Sequence, residues 1–249
     1  MLSVPAMRFS HLVFFEAPAG AQADDTQARA GEREIDAVRD CLAAIPGLTR
    51  ALIYTPARAS DLFTDDPGAP CFGFQLCYDE IEALEAAALA GGALHDLSTG
   101  AASIRLSETG LAGATVRHQA MLTRHFPVAQ PRALPAVHCS FAVHYPGPAA
   151  DENAWHDHYI ANHPPIMARF PGILEIEILT RLDWRDHLPW QRVHHMQRNR
   201  VAFESPEALT AALHSPVRHE MRADLACFPA FEGGNFHYPF RTEVVPSTR

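Results

Sequence analysis

Apolar and polar side chains alternate along residues 137–145, VHCSFAVHY. In a β-strand this period of two directs Val137, Cys139, Phe141 and Val143 to one face, and His138, Ser140, Ala142 and His144 to the other. We expect the first face to pack against helices and the polar face to line a cavity. The same reasoning applies to the predicted strand 194–203. If its Val201 and Phe203 contact helices, then His194 and Arg200 point into the cavity, whereas a β-bulge would reverse the two faces.

The same order of patterns occurs twice along the chain. Each half begins with a β-rich run, continues into a helix that stops at Pro-Gly, and then alternates strand, strand, helix and strand. The predicted strands are 6–16, 48–55, 71–78 and 114–124 in the first half, and 136–145, 173–181, 194–203 and 235–245 in the second. The predicted helices are 25–45 and 152–170, each followed later by a second one that begins near 79 and 205.

Two separated blocks of sequence hold one offset of 125 residues. AIPGLTRALIYT (44–55) aligns with RFPGILEIEILT (169–180), and FQLCYDEIEALEAAA (74–88) aligns with NRVAFESPEALTAAL (199–213). A fixed offset across two blocks indicates one structural unit used twice.

The order βαββαβ is that of the ferredoxin-like unit, whose sheet carries helices on one face and leaves the other bare. Two such units can cover their bare faces by closing into one barrel. We therefore predict an α+β fold in which units 1–125 and 137–249 form an intramolecular, pseudo-dimeric α+β barrel, joined by a Pro-rich linker, 126–136. Two separate domains on a flexible tether are the alternative.

Composition restricts the partners. The net charge of −9 disfavours binding to nucleic acid or to anionic membranes, because both bind basic protein surfaces. No apolar run reaches the roughly 18 residues that a membrane-spanning helix needs, and the amino-terminal residues read as a strand rather than a signal peptide. The five scattered cysteines form no C-x-x-C pair, which favours a reducing, cytoplasmic location.

The chemistry concentrates in WHDHYIANHPPIMARFPG, residues 155–172. On a helix, Tyr159, His163 and His156 share an arc with apolar residues, whereas Asp157 and His158 project to the solvent side. Because proline disfavours helical geometry in the residue before it, Pro164 and Pro165 predict a kink or restart near His163. A histidine beside the new helix start would have a lowered pKa and serve as a general base.

This stretch, together with NRVAFESPEALTAALHSP, resembles the EthD-like family of dimeric α+β barrel proteins. Family members carry a similar aromatic-His-x-x-Tyr-x-x-x-His-x-Pro run that ends in Pro-Gly. The likeness covers about 136–245, and the first half lacks the histidine motif. It implies a barrel with a pocket inside it or at its mouth, and it maps the family's tyrosine and histidine onto Tyr159 and His163.

Three functions fit these residues. The first is a cofactor-independent acid/base enzyme, a lyase or isomerase, with His163 as base and Tyr159 as its partner. It would act on a small aromatic or cyclic carbonyl compound, in a pocket lined by His138, His144, His156, His194 and Arg200. The second is a protein that binds a small ligand without catalysis, and the third is a metal- or haem-dependent oxygenase using the histidines. We expect no cofactor and no metal ligands, and leave a homodimer open.

Overall fold

The computed structural model describes residues 7–17, 31–66, 68–102 and 106–246. The first half contains β1 (Phe9–Glu16), α1 (Glu32–Ala43), β2 (Leu48–Pro56), β3 (Phe72–Tyr78), α2 (Ile81–Ala88), α3 (Ala93–Thr99), a short 3₁₀ helix (Leu106–Glu108) and β4 (Thr115–Phe126). The second half contains β5 (Val137–Tyr145), α4 (Glu152–Met167), β6 (Glu175–Arg181), β7 (Gln191–Arg192), β8 (Gln197–Phe203), α5 (Pro206–Leu213), α6 (Pro216–Leu225) and β9 (Phe236–Val245).

Eight strands close into one antiparallel barrel. Within each half the strand order is that of a ferredoxin-like unit, β4-β1-β3-β2 and β9-β5-β8-β6. Pairing of β2 with β9 and of β4 with β6 joins the halves, so neither sheet keeps a free edge. The predicted intramolecular barrel is confirmed, and a flexible tether between independent domains is excluded by the shared sheet. The two-residue β7 adds to β4 in parallel.

The barrel wall has an inner and an outer face with different cores. The inner face encloses Leu12, Phe14, Leu52, Tyr54, Met121, Ala142, Leu179 and Phe240. On the outer face of the second half, Cys139, Phe141, Val143, Val201 and Phe203 pack against the helices. Alternation along β5 and β8 thus turns His138, His144 and Arg200 to the interior, as their sequence pattern predicts.

Helix α4 runs without interruption from Glu152 to Met167, with Pro164 and Pro165 inside it. The prediction that the helix restarts near His163 is therefore wrong. The apolar face of α4 is held by packing, since Trp155, Tyr159, His163 and Met167 are all buried. That tertiary packing offsets the two backbone donors that the prolines remove. Asp151 caps the helix by accepting a hydrogen bond from the Ala154 amide at 3.0 Å.

Each half also sends a connection across to the other. Residues 57–66, the first crossing segment, follow β2 and lie against the helices of the second half through Asp61 and Ser60. Residues 182–190, the second crossing segment, follow β6 and place Trp184, Leu188 and Trp190 in the first-half core. Within the described residues, no helix is long and apolar enough to cross a lipid bilayer.

Candidate functional site

A cleft opens between the outer face of the second-half sheet and helices α4 to α6. Its cavity volume is about 50 Å³. That is room for a few water molecules, so a ligand with a ring would need the side chains of the cleft to move apart. The walls are mainly apolar, with a few polar groups: Thr64, Phe141, Val143, Tyr145, His163, Met167, Phe170, Asn199, Val201, Leu213, Arg218, Met221, Arg222, Leu225, Asn235 and His237.

The imidazole of His163 forms part of the wall of this cleft, and it is hydrogen-bonded to a residue that does not line the cleft. Its Nδ1 lies 2.6 Å from Oδ2 of Asp224 on α6. A carboxylate accepts, so Nδ1 carries the hydrogen and Nε2 keeps its lone pair. The other oxygen of Asp224 lies 3.1 Å from Nε2 of His158. The expectation that His158 is solvated was wrong: it is half-buried against Asp224.

The surroundings keep His163 neutral and Asp224 charged. Burial lowers the pKa of His163, and Asp224 opposes this by favouring the imidazolium form. Burial also favours neutral Asp224, but hydrogen bonds from His163 and His158 hold the pKa of that carboxyl below its usual value. The cause of the lowered histidine pKa is therefore burial within an unbroken helix, and no helix start lies next to His163.

Tyr159 lies beneath His163 and is absent from the cleft wall. Its ring is fully buried, 4.7 Å between centroids from that of His163, and stacks on Trp155 at 5.1 Å. Its hydroxyl faces Tyr145 and Gln197 without a well-formed hydrogen bond to a described residue, and burial raises its pKa. Tyr159 can position the imidazole by contact, and Asp224 supplies the hydrogen bond.

The other residues predicted to bind substrate do not meet His163. His138, His144 and Arg200 face the barrel interior, behind the sheet that forms the cleft floor. His156 is half-buried beside Trp155, outside the cleft wall, and His194 is exposed ahead of β8. The resemblance implies a pocket inside the barrel or at its mouth, whereas the cleft that contains His163 lies on the outer face of the sheet.

The crossing segment 57–66 closes one side of the cleft. Asp61 receives bonds from both Nε and Nη2 of Arg218, at 2.8–3.1 Å, with both side chains buried. Asp66 receives the backbone amide of His237 at 2.8 Å and its Nδ1 at 2.7 Å. Thr64 itself lines the cleft. Residues from the first half therefore complete a site in the second.

The equivalent place in the first half is occupied by aromatic side chains. His118 pairs with Val13 of β1 as His237 pairs with Val143 of β5, so the two histidines hold matching positions. Against His118 lie the rings of Trp184 and Trp190, each with its centroid at 6.1 Å. The crossing segment that bears them thus fills in the first half the volume that forms the cleft in the second.

Sequence reasoning missed Asp224 because it missed α6. Helix α6 begins with Ser215-Pro216, the same start signal that marks α5 at Ser205-Pro206. That signal was available to place a second helix after residue 215. The pairing of Asp224 with His163, 61 positions earlier, carries no local signal.

One group among the described residues has the spacing of metal ligands, namely His125, Glu175 and Glu177. Both carboxylates already bind arginines, because Arg50 and Arg200 each contact Glu175 and Glu177. Two guanidinium groups at the same oxygens repel a further cation. These residues do not fit a metal site.

No family model matches the chain, and no curated protein matches it. Among solved structures, an anthrone oxidase-like protein shares the fold over 98% of this chain and 97% of its own, with 12% identity and a TM-score of 0.58. A chlorite dismutase mutant from Candidatus Nitrospira defluvii covers 96% and 93%, with 10% identity and a TM-score of 0.50. An EthD family protein from Bacillus halodurans covers 41% of this chain and 95% of its own, with 16% identity and a TM-score of 0.35. The chain has the dimeric α+β barrel fold in a single polypeptide.

Proposed function

We propose that the protein is a cofactor-independent acid/base enzyme acting on a small aromatic or cyclic carbonyl compound in the cleft of the second half. The observation that carries this proposal is the 2.6 Å bond between His163 Nδ1 and Asp224 in the wall of a mainly apolar cleft. A neutral, oriented imidazole at such a surface has the properties of a general base.

His163 would remove a proton from a carbon next to the carbonyl group. The C–H electron pair moves into an enolate, the proton goes to Nε2, and Asp224 stabilises the imidazolium that forms. Return of the proton to a second carbon gives isomerisation. Loss of a group from the neighbouring carbon gives elimination. These outcomes correspond to the isomerase and lyase classes.

The enolate oxygen requires hydrogen-bond donors in the cleft. Arg218 and Asn199 line it, and the guanidinium group of the first and the Nδ2 group of the second are hydrogen-bond donors. Arg218 is held in place by Asp61. Phe141, Met167 and other apolar residues form the surface on which a ring would pack. Tyr159 and His163, the two α4 residues of this arrangement, belong to the stretch that resembles the EthD-like family.

Exchange of hydrogen for deuterium tests the proton-transfer step before the natural substrate is known. A panel of small cyclic ketones and lactones, with anthrone, is incubated with the protein in D₂O, and loss of the α-proton signal is followed by NMR. We expect His163→Ala to reduce exchange on any active compound by roughly 10²–10⁴-fold. His187→Ala, at an exposed position of the second crossing segment, serves as the control and should keep full exchange.

The competing functions give different results in the same samples. A ligand carrier would shift the resonances of a bound compound without exchanging its protons. An oxidase would consume O₂ while it exchanges the α-proton of the compound, because an enolate such as that of anthrone can react with oxygen. The anthrone oxidase-like protein of the same fold favours this alternative. Exchange that is equally fast in His163→Ala would contradict the role of His163.

A further inference from the structure

Strand β8 directs two arginines into the barrel interior. Arg198 is 3% exposed and Arg200 is 2% exposed, and they stand two residues apart on the same face of the strand. Arginine stays protonated in proteins, so each brings a positive charge into a buried space. Burial of such a charge requires a compensating group.

Arg200 is compensated by the protein itself. Its Nε lies 2.8 Å from Oε2 of Glu177, and a second nitrogen contacts Glu175. Ser140 accepts a further bond at 3.2 Å. The carboxylates also bind Arg50, so this end of the barrel has two positive and two negative charges.

Arg198 has no such partner. It makes no ion pair with a described carboxylate, and its Nε has no hydrogen-bond partner. Nη1 lies 2.8 Å from a ring nitrogen of His144, whose pKa burial and the neighbouring guanidinium depress well below the usual value. The face of Phe14 is 5.2 Å away. At this end of the barrel Glu16 is bound to Arg117 at 2.8 Å.

The side chains around Arg198 include several aromatic rings, and His144 accepts its hydrogen bond. The rings of His195 and Tyr238 lie 5.7 and 5.2 Å from that of His144, measured between centroids. Nδ1 of His195 has no partner among the described residues. Burial lowers the pKa of Arg198 to about 9, which leaves it charged at neutral pH. An unpaired buried cation and unused polar atoms lie here together.

We propose that this end of the barrel binds a small aromatic carboxylate, held by the guanidinium group of Arg198, with its ring against Phe14, His144 and Tyr238. A planar carboxylate matches the fork of a guanidinium group and supplies the missing charge. The location is on the opposite face of β8 from the cleft, because Asn199 faces the cleft and Arg198 the interior. The inference is therefore independent of the function proposed for His163.

Thermal unfolding with benzoate as probe tests this site, and benzamide is the neutral control of the same shape. We expect benzoate at ten times its Kd to raise the Tm of the unmodified protein by roughly 3–6 °C. Benzamide should not, and acetate should raise it less than benzoate. Arg198→Met should lose the response to benzoate, and Arg198→Lys should weaken it because lysine lacks the planar fork.

The Tm values of the arginine variants, measured without any added anion, give a second test. Removing an uncompensated buried charge should leave the Tm of Arg198→Met unchanged or higher. Arg200→Met should lower the Tm, because it leaves the carboxylates of the half-buried Glu175 and the buried Glu177 with Arg50 as their one guanidinium partner among the described residues. The proposal is overturned if benzoate and benzamide act alike on the unmodified protein, or if Arg198→Met keeps the benzoate shift. If Arg198→Met fails to fold, the Arg198→Lys comparison decides in the same way.

Discussion

Asp224 determines both the orientation of His163 and the pH range in which it can act. The carboxylate accepts the Nδ1 hydrogen, which leaves Nε2 as the basic atom. It also stabilises the imidazolium and so raises a pKa that burial lowers. Protonated His163 cannot take another proton, so the rate should fall as the pH drops through this pKa, below the usual histidine value of about 6.5.

Asp224→Asn should shift that acid limb to lower pH. The neutral amide no longer favours the imidazolium, so the pKa of His163 falls further, and the maximal rate drops by roughly 10²–10³-fold because the charged partner is lost. The measurement is the pH profile of α-proton exchange. His158→Gln removes the other contact of Asp224 and should leave the limb in place. If the acid limb of the pH profile is unchanged or moves to higher pH in Asp224→Asn, the pairing of Asp224 with His163 is contradicted.

Of the three residues His163, Asp224 and Tyr159, the sequence predicts the two that lie on α4. Tyr159 and His163 lie one turn apart on a single helix, so their shared face follows from helical geometry. Asp224 comes from another helix, and only the packing of α6 against α4 brings it within 2.6 Å.

Among the elements, the crossing segment 57–66 connects the first half to the function of the second. Its Asp61 binds an arginine of the cleft wall, and Asp66 binds a histidine of that wall. These contacts give the first half a role although it lacks the histidine motif. We expect the free energy of unfolding and the binding of substrate both to depend on them.

Asp61→Asn should lower the free energy of unfolding by roughly 3 kcal/mol, since it leaves Arg218 buried without a counter-charge. KM should rise as well, because Arg218 loses its position in the cleft. Urea unfolding and the exchange kinetics measure the two effects. The matched control is Arg8→Gln, which breaks the exposed pair with Glu80 and should cost under about 1 kcal/mol. Equal losses in both variants would show that the buried pair is unimportant.

Over the whole molecule, buried histidines should make the fold sensitive to acid. Burial lowers the pKa of His138 to about 4, and those of His11 and His144 also fall. Below pH 6.5 the unfolded chain takes up protons that the folded protein does not, so stability decreases as the pH falls towards 4.

His138→Asn isolates one part of this effect. For His138 alone the loss amounts to about 2 kcal/mol between pH 7.5 and 5. Asparagine can still donate to the Pro135 carbonyl, as Nδ1 does at 3.0 Å, but does not titrate. Its free energy of unfolding, measured in urea at both pH values, should change less than that of the unmodified protein. An identical pH dependence would rule out His138 as a contributor.

The sequence by itself determined the order of the elements, the barrel and the two faces of its strands. Alternation along β5, the Pro-Gly stops and the capping residues act over a few neighbouring positions, so the local pattern contains them. Closure of the barrel follows because two sheets with bare faces must cover each other. Only the tertiary structure decided that the cleft lies outside the barrel, that Asp224 reaches His163, and that Trp184 and Trp190 fill the matching place in the first half. Those contacts join residues tens of positions apart, and they depend on how helices and crossing segments pack on the closed sheet.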